Sequence, residues 1–597
     1  MQNGTFSAQQ FLPSLPIPGL NESIDRYLKS LKNVFDDSKH AVIEKSAKTF
    51  VESSDAKLLQ NFLLTKAKNE RNWLENWWYD AYTMNRETLL TQNMGGIIPK
   101  IGVEKESQIT VAARLIYHVM SYWNLVRQEK VDITVSGGIK WDMSQVYNLF
   151  NASRIADFPK DKISRYFRTE SEGDCPSHII IICNGSIWKF CVTNPDNSLK
   201  SVNAIEKALE LIKSKSSRVD TRSVVPLTSL GRDEWAKIRH SLIENSAHNT
   251  GNFELIDSSV FSLTMVDDFV EDESKLMKYS LFGSAYNCYC DKNLNLIVMR
   301  DGKACLQAEH GNVDAISLFA PCDYAADNMN KNPQTTQVVD DFCVVEKLEF
   351  QSTADLANLV NYAEKNFKDL AESFNFEIYN FKNFGSKFCK TNGKFYADTI
   401  IQIALQLAYF KTHKKLAPTY ETASSRKFYH GRTETVRSLT SEIALFFRAI
   451  ENGATSDAVR TLFFDAYNTH CRFLELARDG KGFDRHFFGL RKAQENLANL
   501  GKPTEISFLD DVSFSESGGN GNFKLSTSLL GYVENGTFGC VTPMCKGGYG
   551  AFYRINSESF TFTITALAND ETDIPTFCQN LESAFLFLQK IIIGSKI

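Results

Sequence analysis

Two segments constrain this chain more than any others. In "HIIIICNGSIWKFCVT" (178–193), two runs rich in β-branched and aromatic residues flank Asn184-Gly185. That dipeptide suits the positive-φ positions of a type I′ turn, so the segment reads as a β-hairpin. A second hairpin is expected at 295–310, where "NLIVMR" and "KACLQAEH" flank Asp301-Gly302 and carry His310 to the end of a strand. Helical patterns stand among these strands: "SQITVAARLIYHVMSYWNLV" (107–126) and "DTIIQIALQLAYFKT" (398–412). Later, "GAFYRI" and "SFTFTITAL" (559–567) alternate like antiparallel strands, and "PTFCQNLESAFLFLQKII" is an amphipathic helix. Helices and strands interleave throughout, so the expected class is α/β (α+β) with mixed sheets. A length of 597 residues argues for more than one domain.

Local signals add detail. "LPSLPIPGL" (12–20) is Pro-rich and extended, and Asn21 is placed to cap the helix of "NESIDRYLKSL". Asp398 is placed to cap the helix that follows it. The cluster "NWLENWWYDAYT" (72–83) reads as packing, and "ESGGNGNF" (516–523) as a flexible break.

The charge balance is nearly even, 66 basic against 71 acidic residues, with no long block of either sign. That argues against nucleic acid as a partner. Thirteen scattered cysteines, an odd number without a CxxC pair, read as reduced thiols. No apolar run approaches the ~20 residues of a membrane span. The N-terminus reads as neither a secretory nor a transit leader. The chain ends in "SKI", one residue from the Ser-Lys-Leu peroxisomal address. A peroxisomal location, through the import receptor, is therefore expected, with the cytoplasm as the alternative.

Four stretches carry chemistry: "AEHGNVDA" (308–315), "YETASSRKFYHGRTETVRS" (420–438), "GFDRHFFGL" (482–490) and "KLSTSLLGY" (524–532). Each is weak alone. The second is dense in hydroxyls and positive charge. It reads either as one wall of an anion pocket or as a solvated helix-loop in which Arg432 and Arg437 pair with Glu434 and Glu421.

In combination and order these stretches resemble the carnitine/choline acyltransferase family, together with "LPSLPIPGL", "WLENWWYDAY", "LTSLGRDEWA" (227–236), "IIQIALQLAY" (400–409) and "GYGAFYRI" (548–555). The resemblance implies two domains of similar fold, related to chloramphenicol acetyltransferase, with the active site in a tunnel between them. One domain is expected over 86–352. The other combines 353–597 with N-terminal helices from 1–85.

The implied reaction moves an acyl group between the thiol of coenzyme A and the hydroxyl of carnitine. His310 takes the place of the general base, a role that suits a group titrating near neutrality. Ser528 takes the place of the oxyanion donor. Asp314 stands four residues after the histidine as an acidic support. Tyr420, Thr422 and Thr433 supply hydroxyls, and Arg485 a permanent charge, for the carnitine carboxylate. Thr433 and Arg485 favour carnitine over choline.

Lys387 and Lys390, with Lys394 in reserve, stand where the family binds coenzyme A, and Asp398 matches a pantetheine contact. Gly539 stands where a small residue leaves room for a medium-length acyl chain, as in octanoyltransferases. Two departures bear on activity. Ser386 replaces a usual lysine, and Gly311-Asn312 replaces a small or Pro-containing run and is expected to loosen the histidine. The alternatives are a carnitine acetyltransferase, a choline acetyltransferase and a catalytically weak acyl-CoA binder. No permanent cofactor, no metal and a monomer are expected.

Overall fold

The computed structural model describes residues 4–99, 106–331, 344–352, 355–532 and 534–594. The C-terminal "SKI" lies outside the described residues. In chain order the strands of its two large sheets are β1 (Met94–Ile98), β2 (His178–Cys183), β3 (Ser186–Cys191), β4 (Ser262–Met265), β5 (Leu294–Val298), β6 (Ala304–Ala308) and β7 (Val345–Lys347). They continue as β8 (Phe374–Phe381), β9 (Thr419–Ser424), β10 (Thr433–Arg437), β11 (Leu525–Gly531), β12 (Phe538–Cys540), β13 (Tyr549–Ile555) and β14 (Phe560–Leu567).

The first sheet runs β7-β3-β2-β4-β5-β6-β1-β12, and the second β8-β14-β13-β11-β9-β10. Both are mixed. In the first, β2/β4 and β4/β5 are parallel. In the second, β9/β11 and β11/β13 are parallel. β12 comes from late in the chain yet pairs with β1, Gly539 opposite Gly96.

The first hairpin forms as its residues require. Cys183 pairs with Ser186, and Asn184 and Gly185 take φ of 49° and 76°. A Cβ at Gly185 would come within 2.7 Å of the Tyr286 ring, so close packing demands glycine as well. The second hairpin is looser than expected. Its strands stop at Val298 and restart at Ala304, and only Gly302 of the turn pair has positive φ.

Helices Gln108–Arg127 and Ala315–Lys331 cover one face of the first sheet around Trp123, Ile181 and Leu296. Helices Ala397–His413 and Ile574–Ile593 cover the second around Phe381, Tyr549 and Phe585. The N-terminal helices bury Tyr27, Phe50, Leu63 and Trp73 against Phe487, Leu490 and Phe514. No helix among the described residues is long and apolar enough to cross a membrane. The twelve described cysteines are free.

Three local expectations are corrected. Helix Leu20–Leu31 is capped by Gly19, so Asn21 falls inside its first turn. Helix Ala397–His413 has Tyr396 at its cap, and the Asp398 side chain bonds to Tyr553 instead of to its own helix. The stretch 516–523 is not a break: Val512–Glu516 is helical, Gly519–Gly521 is a 3₁₀ turn, and Gly519 packs on Phe514.

Candidate active site

β6 ends two residues before His310. The His310 Nδ1 lies 3.0 Å from the Val313 carbonyl oxygen. A carbonyl can only accept, so in the neutral ring Nδ1 holds the proton and Nε2 keeps its lone pair. The imidazole meets the Tyr82 ring edge-on, centroids 5.8 Å apart.

The histidine loop is tightly held, contrary to the expectation drawn from Gly311-Asn312. The Gly311 amide donates to Glu309 Oε1 at 2.9 Å, and the Asn312 amide to Oε2 at 3.3 Å. The Asn312 side chain donates to Asn293 and accepts from Arg165. A Cβ at Gly311 would stand 2.7 Å from Glu309 Oε1, so glycine leaves room for this carboxylate.

Asp314 accepts from Arg432 Nε and Nη2, each at 2.9 Å, and from Gln145 at 2.9 Å. Burial works to raise its pKa, but the Arg432 guanidinium outweighs burial and holds the carboxyl below the usual range. Arg432 also donates to the carbonyls of Gly311 (2.7 Å) and His310 (3.1 Å).

The hydroxyl-rich stretch 420–438 is not a helix-loop. It forms β9 and β10, antiparallel, with Tyr420 opposite Arg437 and Ser424 opposite Thr433. The pairings expected of a solvated surface are absent there. Arg432 goes to Asp314, Arg437 to Asp484, and Glu421 to His470 and Ser438.

Alternate residues of β9, Tyr420 and Thr422, line a cavity of about 1440 Å³. Trp78, Tyr82, His310, Thr433 and Ser528 line it too, so its wall draws on both halves of the chain. Arg485 stands just behind that wall. Its Nη2 donates to the Tyr420 hydroxyl at 2.9 Å and to the Thr433 hydroxyl at 3.3 Å. Each hydroxyl oxygen accepts from the guanidinium, which leaves its own O–H to donate elsewhere. The guanidinium lies 4.0 Å from the Trp78 ring centroid, a cation–π contact. Burial lifts the nearby Glu434 carboxyl to about 7.

On β11, Ser526, Thr527 and Ser528 all border the cavity, and the Thr527 hydroxyl is engaged, donating to the Tyr420 carbonyl at 2.9 Å. Among the described residues no side chain or backbone group hydrogen-bonds to the Ser528 hydroxyl, whereas the Thr422 hydroxyl donates to the Thr527 carbonyl at 3.4 Å.

Asp398 also lines the cavity and accepts from the Tyr553 hydroxyl at 2.6 Å. Burial, then the Glu421 charge, raises it to about 6. The three lysines are not brought to the same wall. Lys387 is exposed and pairs with Glu558 at 3.1 Å, and Lys390 and Lys394 are exposed. Tyr396, two residues after Lys394, does line the cavity. The Ser386 amide donates to the Asn556 carbonyl at 3.0 Å.

Gly539 does not line the cavity. It lies in β12, where a Cβ would be 2.5 Å from both the Gly95 carbonyl oxygen and Phe319 Cζ. Apolar residues that do line the cavity include Met94, Phe374, Leu530, Val541, Phe552 and Leu567.

Sequence reasoning missed Trp78, read as packing, and gave Arg432 no part in the site, naming it only as an ion-pair partner in the helix-loop alternative. The only local signal for Trp78 was the "WW" doublet. Trp77 is buried among Leu63 and Phe487 in the N-terminal core, and its neighbour Trp78 packs against the same core while also bordering the cavity.

Residues 15–583 match the family model described as Choline/Carnitine o-acyltransferase. The chain is 35% identical to a peroxisomal carnitine O-octanoyltransferase of Bos taurus, over 98% of this chain and 97% of that one. It is 34% identical to the Homo sapiens protein of the same description, over 97% and 96%. It is 27% identical to a carnitine O-acetyltransferase of Rattus norvegicus, over 99% and 95%.

Proposed function

The chain belongs to the choline/carnitine O-acyltransferase family, and we propose that it transfers a medium-chain acyl group reversibly between coenzyme A and carnitine. The observation that carries this reading is the arrangement of Arg485 behind the Tyr420 and Thr433 hydroxyls, in the cavity that His310 also lines. A permanent cation that orients two O–H donors is suited to a carboxylate, which carnitine has and choline lacks.

In the proposed step, His310 Nε2 takes the carnitine hydroxyl proton as that oxygen attacks the thioester carbonyl carbon. The carbonyl becomes an oxyanion, and the Ser528 O–H donates to it. A donor of this kind contributes about 2.7–4 kcal/mol to lowering the barrier. Collapse breaks the C–S bond, and the proton on Nε2 passes to the departing thiolate. No acyl-enzyme forms, and the reverse reaction uses the same groups. Asp314 acts through Arg432 and the loop carbonyls to hold His310. Coenzyme A enters along Asp398 and Tyr396, with Lys387, Lys390 and Lys394 on the exposed approach to its phosphates.

The medium-chain assignment is supported by 33–35% identity to octanoyltransferases against 26–27% to acetyltransferases. A shorter chain is the second reading, favoured by the Phe319 ring beside Gly539. We further propose two lobes, 86–352 and 353–597 with 1–85, a monomeric state, and peroxisomal import through the terminal "SKI".

The test is thiol release from acetyl-, octanoyl- and palmitoyl-CoA, with carnitine or choline as acceptor. Fastest release with octanoyl-CoA and carnitine supports the reading. An acetyl-CoA optimum moves it to the shorter chain, and a choline preference removes the Arg485 argument.

A further inference from the structure

Glu309 immediately precedes His310 and is 1% exposed. It is not among the residues that line the cavity. It accepts the two consecutive amides after His310, those of Gly311 and Asn312. Arg154, itself fully buried, brings Nη1 to 3.4 Å from Glu309 Oε1.

Arg154 has other duties that bear on the same ring. Its Nη2 donates to the carbonyls of Tyr82 (2.7 Å) and Asn85 (3.2 Å). Both residues line the cavity, and the Tyr82 ring packs on His310. Its Nε donates to Asp161 at 2.7 Å. Asp161 in turn accepts from Arg232 at 2.7 Å and Arg86 at 3.0 Å. One guanidinium thus fixes the carboxylate under the histidine loop, the backbone that carries Tyr82, and a wider buried ion network.

A buried carboxylate is costly unless its oxygens are satisfied. Here they are satisfied by the amides that set the path of the chain leaving His310. Arg432 holds the carbonyls of His310 and Gly311 from the other domain. Each peptide unit flanking Gly311 is therefore fixed at both ends, its N–H by Glu309 and its C=O by Arg432.

We propose that Glu309, anchored by Arg154, is a positioning residue for His310: it fixes the loop amides so that Nδ1 stays on the Val313 carbonyl and Nε2 faces the cavity. The inference rests on the reading of His310 as the base. Gly311 belongs to the same device, because a Cβ there would meet the carboxylate.

The experiment is steady-state kinetics on the full chain, with the best acyl-CoA and carnitine, for wild type, Glu309→Gln, Gly311→Ala, the double variant and His310→Ala. Gly311→Ala keeps every charge, so it tests the clamp even if Glu309→Gln folds poorly. Each single variant is expected to lower kcat about 10- to 100-fold through small misplacement of the base. KM for both substrates should stay within about twofold, and the double variant should be no worse than the weaker single. A dead His310→Ala beside wild-type kcat in Glu309→Gln and Gly311→Ala overturns the clamp and leaves the base. Raised KM at unchanged kcat overturns it as well. An active His310→Ala overturns the base assignment itself.

Discussion

Arg432 and Asp314 form a two-pronged ion pair, Nε and Nη2 each 2.9 Å from one carboxylate oxygen, that ties the start of β10 to the histidine loop. The pair joins the two sheets at the point where His310 enters the cavity. Arg432 is buried and Asp314 only partly exposed, and loss of the carboxylate leaves the guanidinium only the Gly311 and His310 carbonyls. Asp314→Asn should therefore cost about 1.5–3 kcal/mol of stability and lower kcat about 10- to 100-fold. Thermal melting and kcat measured on the same sample check this. An unchanged melt with unchanged kcat would contradict it.

Arg485→Ala removes the cation behind Tyr420 and Thr433 but leaves their hydroxyls. A hydrogen bond to a charged group is worth about 1.5–3 kcal/mol, so KM for carnitine should rise roughly 10- to 150-fold. KM for the acyl-CoA should not move. Initial-rate kinetics with each substrate varied in turn distinguishes the two.

Phe319 is 3% exposed and stands against Gly539. Phe319→Ala should empty the space beside β12 at a cost of about 3–5 kcal/mol in stability. If that space continues the acyl site, the optimum in a series of acyl-CoA donors moves to longer chains. An unmoved optimum would place the acyl chain wholly along Phe374, Leu530 and Phe552.

His470 is 1% exposed, with Nε2 2.6 Å from Glu421 and Nδ1 3.0 Å from Thr399. Burial disfavours its charge, but the Glu421 carboxylate outweighs burial and lifts its pKa from 6.5 to about 10. The folded value exceeds the unfolded one. Its contribution to stability is therefore complete below about pH 6.5 and is lost as pH rises through about 10. Urea unfolding midpoints should fall across pH 7–10 in the wild type, and fall less in His470→Gln.

Much of the architecture could be read from local residue chemistry. Asn184-Gly185 fixed a hairpin because its turn needs positive φ at both positions. Helix Gln108–Arg127 was read within a residue, with Ser107 at its cap. Where tertiary contacts decided, sequence reasoning failed. Asp398 had the look of a cap, but Tyr553, 155 residues away, took its carboxylate. Stretch 420–438 does alternate, yet its inward-facing Glu421 masked the period of two, because a buried acid is recognisable only with its histidine in view. Arg432 sits two residues from Glu434, and only the fold reveals that its partner is 118 residues away. The role of Gly311 was unreadable for the same reason: the group it makes room for is a side chain that folds back beneath it.

His310→Ala tests the account most directly, assayed with octanoyl-CoA and carnitine and, in reverse, with octanoylcarnitine and coenzyme A. One base that serves both substrates predicts loss of turnover in both directions, with coenzyme A binding retained in calorimetry. Wild-type turnover in either direction would contradict it.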